Sequence, residues 1–409
     1  MKKHLLYIAV LTALLAGCRQ KGDIYLDPSD PINMSYTSYA GQFDVIWRGM
    51  NSYYVFWSED STDWNSTYTD MKPKFEALDE AYAADSIAPD SVTLMNLYAE
   101  VTSTLRDHHL GLQFRDVHTG QNFKYSPGAA EVKRRDYVIG QTYDEAAMTE
   151  AIGSFVSTGL LDGGRWGELN GNRNFFGTRI LNDGRKVAYL WQNSFYMDES
   201  LRKEGTTDAE KNFISNIRDW LNMCLTEPKL AGIVLDNRCN SGGQVKDLDL
   251  VIGAFINEPL HYADLRYKEG PGRYDYTEWI PAFVDTLAVS NRRDLEADRI
   301  PYIVLTNAYS ISMAETSAII IKHLPTGRMI GERTFGAHGQ LMNYSTIFHD
   351  GTFGTEGGKH YVYMSSMQTR FTSEGVLEGI GVTPTKTVLQ AEDGYTGALI
   401  KAIDYINAY

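Results

Sequence analysis

The chain has 409 residues, with 38 Lys+Arg against 52 Asp+Glu and a formal charge of −14. Hydrophobic residues at 43% and charged residues at 22% are proportions of a soluble globular protein, which excludes collagen-like, disulfide-scaffold and wholly disordered chains. The acidic balance, with no long Lys/Arg run, argues against a nucleic-acid partner, because a phosphate backbone selects basic surfaces.

Residues 1–20 read MKKHLLYIAVLTALLAGCRQ. Lys2 and Lys3 form a basic head, and Leu5–Leu15 is an apolar core too short to span a bilayer. The Leu15-Ala16-Gly17-Cys18 sequence resembles the bacterial lipobox. That resemblance implies a signal peptide over 1–17, cleavage before Cys18 and lipidation of its thiol. Losing Lys2 and Lys3 takes the formal charge from −14 to −16. Two or more acyl chains anchor stably. Residues 18–35, polar with Pro28 and Pro31, read as a linker from lipid to body. No later segment has the long apolar run of a membrane span. The expected location is the cell envelope, as a membrane-anchored lipoprotein of the outer membrane facing periplasm or surface.

Residues 36–115 read as a helical N-terminal cap. Phe43, Ile46, Trp47 and Met50 recur at helical spacing, as do Leu94, Tyr98, Val101 and Leu105. Between them lie Tyr54, Phe56, Trp57, Trp64 and Tyr68, expected as the core of the cap rather than a ligand platform. Residues 116–184 form an intermediate region with Gly163-Gly164 and Asn170-Gly171-Asn172 turns. It lacks the glycine-rich carboxylate-binding loop of a peptide-binding PDZ module, so no standard PDZ domain is expected.

From 185 to 409 the pattern is α/β. Strands are predicted at Val187–Trp191, Gly232–Leu235 and Tyr302–Thr306. Helices are predicted at Ala209–Leu225, Val245–Ile256 and Ser312–Leu324. Alternating strands and helices imply a sheet covered by helices. Cys224 lies on a helical pattern and Cys239 in a turn, and two separate buried thiols are expected.

Two strand–turn–helix passages can carry chemistry. Asp236-Asn237-Arg238-Cys239-Asn240-Ser241-Gly242-Gly243 follows the strand GIVL, and its backbone N–H groups can face an anion or oxyanion. No Lys-Ser/Thr follows, so it is not a phosphate loop. Arg238 and Asn240 shape the turn. The second passage, PYIVLTNAYSISMAE over 301–315, runs from a buried strand to a helix near Ser312. A serine there has nucleophile geometry, although SISMAE is equally a capping box with Glu315.

The ordered set GIVLDNRCNSGG, TNAYSISMAE, MIGERTFGAHG and GVLEGIGVTP resembles the core of the tail-specific, or C-terminal processing, serine peptidases. The resemblance covers Val187 to Pro384. It implies an α/β fold, a crotonase-like ββα core behind the helical cap, and serine peptidase activity on protein or peptide. It maps the nucleophile onto Ser312, with Ser310 structural. Members with a Ser–Lys dyad carry Lys directly after Thr-Phe-Gly, where this chain has Ala337. Lys322 lies ten residues along the same helix from Ser312, roughly 15 Å away, and cannot substitute. The branch similar to the tricorn core protease uses Ser–His–Glu, its histidine in a Leu-x-Asp-x-His stretch. Leu105-Arg106-Asp107-His108-His109 then makes His109 the base, with His108 and His338 as alternates. Glu378 maps as the acid orienting the imidazole, with Glu374 as its alternate. Oxyanion donors are expected from Gly242 or Gly243 and from Met313. HExxH is missing, and no metal or organic cofactor is expected. The competing expectation is a catalytically silent lipoprotein binding peptides or ligands in the same cleft.

Overall fold

The computed structural model describes residues 35–409 except 136–137, 139–143, 342–350 and 355–357. The expected leader, Cys18 and the linker through residue 34 lie outside the described residues. Helices α1 (Tyr39–Tyr53), α2 (Trp64–Asp85) and α3 (Ser91–Val101) open the chain. Each starts at a residue whose side chain accepts first-turn N–H groups: Ser38, Asp63 and Asp90, which supplies donors the helix itself leaves unmet. Their apolar faces close on the 53–57 aromatics. Trp64, Tyr54, Phe56 and Phe75 are fully buried, and Phe43 stacks on Phe75 with ring centres 4.6 Å apart. The aromatic cluster is therefore core.

Strands β1 (Gly111–Arg115) and β2 (Asn122–Tyr125) follow, then α4 (Pro127–Val132) and α5 (Glu145–Ser157). Strands β3 (Gly163–Leu169), β4 (Asn172–Ile180) and β5 (Lys186–Gln192) form a meander. After α6 (Met197–Leu201) and α7 (Asp208–Thr226) comes β6 (Leu230–Asp236), buried at every residue. The short α8 (Asp247–Val251), β7 (Leu260–Tyr267) and β8 (Ile280–Val284) lead to β9 (Tyr302–Thr306) and α9 (Met313–His323). The remaining elements are β10 (Gly327–Gly331), β11 (Thr352–Gly354), β12 (His360–Tyr363), β13 (Met367–Phe371), β14 (Lys386–Thr387) and α10 (Gln390–Ala408).

The seven-stranded central sheet runs β14-β10-β9-β6-β5-β4-β3. It is parallel from β14 to β5, and β4 and β3 continue it antiparallel. One face packs on α7 and α9 through Phe213, Ile217, Trp220 and Ile319. The other packs on α5 and α10 through Phe155, Leu399 and Ile406. Burial on both faces explains why β6 and β9 read as unbroken apolar runs. This is the expected α/β architecture with helices before it. Two strands of the 116–184 region belong to this sheet.

The helix expected over Val245–Ile256 is only Asp247–Val251. The chain bends away at Gly253, where a Cβ would lie 2.1 Å from the Asp285 carbonyl oxygen. The Gly253 carbonyl accepts from the Leu287 N–H at 2.9 Å and from Arg292 at 2.6 Å. A crossing segment takes the bonds a helix would have used. Cys224 and Cys239 are both buried thiols that do not pair with each other.

What positions the site is the small sheet β11-β12-β1-β2. Strand β1 pairs with β12, Gly111 opposite Tyr363. That register lays residues 105–110 against the loops at 334–340 and 365–378, which reach them from the other end of the chain.

Candidate active site

Strand β9 ends at Thr306, and a six-residue turn carries the chain into α9. Ser310 is spent inside the turn: its hydroxyl donates to the Asn237 carbonyl at 2.8 Å and accepts the Asn307 N–H at 3.0 Å. Ser312 stands at the helix start with φ 58° and ψ −116°. An ordinary capping serine is extended. A positive φ in a non-glycine residue costs about 1–3 kcal/mol and persists where the surroundings impose it. Gly242 packs directly against this turn: a Cβ there would sit 2.7 Å from Ser312 Cβ and 2.9 Å from Met313 N.

Glu315, fully buried, holds the turn from below. Its carboxylate accepts the Ser312 N–H at 3.0 Å, the Thr334 hydroxyl at 2.5 Å, and the Gly336 and Ala337 N–H groups at 2.7 and 2.8 Å. One acid thus staples the 334–337 loop to the serine turn. Ala337, where the dyad lysine would stand, is buried.

Ser312, His109, His338, Gly242, Gly243 and Met313 line one open cavity of about 440 Å³. His109 comes from the N-terminal segment. Its Nδ1 lies 3.3 Å from the Ser365 hydroxyl, which donates to Asp107 Oδ1 at 2.9 Å. Asp107 also accepts the N–H groups of His109 at 2.9 Å and Ser365 at 2.7 Å. Burial is the main force on the His109 ring and pulls its pKa down to about 4; Glu315 pushes it back up, and the neighbouring His338 and His108 add to the fall. The imidazole is therefore neutral, with a lone pair available, at neutral pH.

His338 reaches the cavity from the 336–340 loop. Its side chain is wholly buried, and neither ring nitrogen has a hydrogen-bond partner among the described residues. Nε2 lies 3.3 Å from Glu315 Oε1. Burial lowers its pKa, against the raising influence of Glu315. The Ser312 hydroxyl forms no direct hydrogen bond to either ring among the described residues.

The alternates fall elsewhere. His108 turns away, Nδ1 on the Phe335 carbonyl at 2.9 Å and Nε2 near Glu131 at 3.3 Å. Glu374 pairs with Lys322 at 2.6 Å and His323 at 2.7 Å, off the cavity. Glu378 is buried behind His109, but its carboxylate accepts three backbone N–H groups, from His108 at 2.9 Å and from His338 and Gly339 at 2.7 Å each. Burial, and then the charge of Asp107, raise its pKa well above the usual carboxylate range. Asp107 is likewise raised, to about 6, by burial. Asp107, His109 and Glu378 offer ligand atoms within 4.8 Å of one another. Each carboxylate already takes three N–H or O–H donors, so the set fits a hydrogen-bonded cluster and not a cation cage.

The oxyanion donors narrow. Gly242 N–H donates to Asn240 Oδ1 at 2.8 Å and is committed. Among the described residues, the Gly243 and Met313 N–H groups have no protein acceptor, and both residues line the cavity. Sequence reasoning missed Ser365 altogether, because nothing around it marks a site. Asp107 stood in the quoted histidine stretch without a role.

Residues 186–388 match Peptidase family S41. The chain belongs to this family. It is accordingly a serine-type peptidase, with protein or peptide as substrate. The match includes Ser312, His338 and Glu378 and leaves out His109. Among solved structures, a candidate peptidase from Parabacteroides merdae is 18% identical, with a TM-score of 0.59 covering 91% of this chain and 97% of that one. Mature CPAF complexed with lactacystin is 12% identical, with a TM-score of 0.57 covering 91% and 99%. At these identities the likeness establishes the fold. No curated protein matches the chain.

Proposed function

We propose that this peptidase is an envelope-anchored endopeptidase working through an acyl-enzyme on Ser312. The supporting observation is the strained Ser312 turn facing the neutral His109 ring across one cavity. His109 Nε2 takes the Ser312 proton as Oγ attacks the peptide carbonyl. The oxyanion forms against the Gly243 and Met313 N–H groups, the latter at the start of α9, which favours negative charge. The imidazolium returns its proton to the leaving amine, and water then cleaves the ester. The cavity is a partly open cleft, which suits a segment lying in it and motivates the endopeptidase reading. The missing lysine at Ala337 is consistent with histidine as base.

A fluorophosphonate probe tests the chemistry. Labelling should occur on the wild type and vanish in Ser312→Ala with the fold intact. Absence of Ser312-dependent labelling in folded protein would return the chain to the binding-only expectation. Anchoring through Cys18 is supported by the lipobox-like sequence. Metabolic labelling with an alkynyl fatty acid should mark the wild type and not Cys18→Ser.

A further inference from the structure

We propose that the His109 ring is oriented by the Ser365 hydroxyl backed by Asp107, with Glu378 acting on the loops instead of on the ring. This rests on the reading of His109 as base. The hydrogens assign themselves. Asp107 already accepts from the N–H groups of His109 and Ser365. The Ser365 O–H points at Asp107 Oδ1 at 2.9 Å, so Ser365 Oγ meets the ring with a lone pair. His109 Nδ1, 3.3 Å away, must carry the hydrogen. Nε2 is then the bare nitrogen, the tautomer that a general base for Ser312 requires.

The chain is held rigidly at both ends. Ser365 sits between β12 and β13, and its Oγ lies 2.1 Å from where a Cβ on Gly339 would stand; a side chain at 339 would evict it. Glu378 is the acid expected to touch the ring, yet its three bonds go to the backbone of His108, His338 and Gly339. It ties the histidine segment to the loop carrying His338. Two buried carboxylates therefore divide the labour: Asp107 acts on the imidazole through a hydroxyl, and Glu378 fixes the loops around it.

When acylation occurs, one proton moves, from Ser312 Oγ to His109 Nε2. The Nδ1 hydrogen and the Ser365 hydrogen stay where they are. The ring becomes a cation whose Nδ1–H faces an oxygen polarised by Asp107. Ser365 is thus a positioning residue: it touches neither substrate nor the reacting atoms.

The test joins kinetics to a spectroscopic signature. In the wild type, imidazole nitrogen NMR should show His109 protonated at Nδ1 and bare at Nε2 near neutral pH. Ser365→Ala should lower the fluorophosphonate labelling rate about tenfold to a hundredfold, the range found when the hydrogen-bond partner of a metal-ligating histidine is removed, with the peptide KM unchanged. It should also move His109 toward the opposite tautomer while the melting temperature barely shifts. An Nε2–H tautomer in the wild type overturns the proposal whatever the variant does. So does a Ser365→Ala protein with wild-type rate and tautomer, or one that slows with its tautomer unmoved. Failure of the underlying reading looks different: His109→Ala would then label at the wild-type rate.

Discussion

Acidification provides a sharp test of the buried base. An ordinary histidine, with a pKa near 6.5, is only about 3% deprotonated at pH 5. With the His109 pKa pulled down to about 4, about 90% of the base survives at pH 5. The rate of fluorophosphonate labelling, which reports the free enzyme, should therefore lose only about a tenth between pH 7 and pH 5. With an unperturbed base it would fall about twenty-five-fold. The fold must outlast the measurement. A depressed folded pKa contributes stability that is whole above pH 6.5 and lost as pH falls through about 4. By pH 5 the loss from this group is at most about 2 kcal/mol, because the cavity-facing edge of the ring keeps some water. Asp107, raised to about 6, works in the opposite direction. Its burial costs most above pH 6 and is relieved on the way down to its unfolded value, so the two groups offset each other at pH 5. Tryptophan fluorescence recorded on the same samples separates unfolding from titration. An acid limb centred between pH 6 and 7 in folded protein would refute the buried-base reasoning.

Three further outcomes follow from named contacts. His109→Ala should cut labelling about 10²–10⁴-fold, the usual contribution of a general base, while His338→Ala costs little; the reverse ranking in the same assay would transfer the base to His338. Gly242→Ala forces a Cβ into φ +91° at 2.7 Å from Ser312 Cβ. It should lose labelling nearly completely for about 1–3 kcal/mol of stability, read from the urea midpoint, and a variant that labels normally would show the contact to be slack. Glu315→Ala orphans four donors and should cost about 3–5 kcal/mol in urea unfolding; a change under about 1 kcal/mol would mean that the 334–337 loop is held by something else.

Legibility in the sequence tracked locality. Tyr302–Thr306 was readable as a strand and is one to the residue, because an apolar run between turn signals leaves few alternatives. The helix over Ala209–Leu225 was readable from its periodicity and extends by one residue at each end. The Val245–Ile256 helix was overread, because Asp285, Leu287 and Arg292 take over the backbone around Gly253. Gly242 was a sound candidate by position, but whether its N–H was free depended on where the Asn240 side chain turned.

By itself the sequence determined the strand–turn–helix that presents Ser312, the glycine pair beside it and the absence of a lysine at 337. These follow from hydrophobic period, turn chemistry and side-chain identity, all properties of neighbours in the chain. Tertiary structure alone decided that His109 and His338, and not His108, line the cavity, and that Asp107 reaches His109 through Ser365. The hydroxyl that meets His109 is 256 residues away, brought there by the pairing of β1 with β12. Such a contact is made by packing and register, which no local pattern of residues encodes.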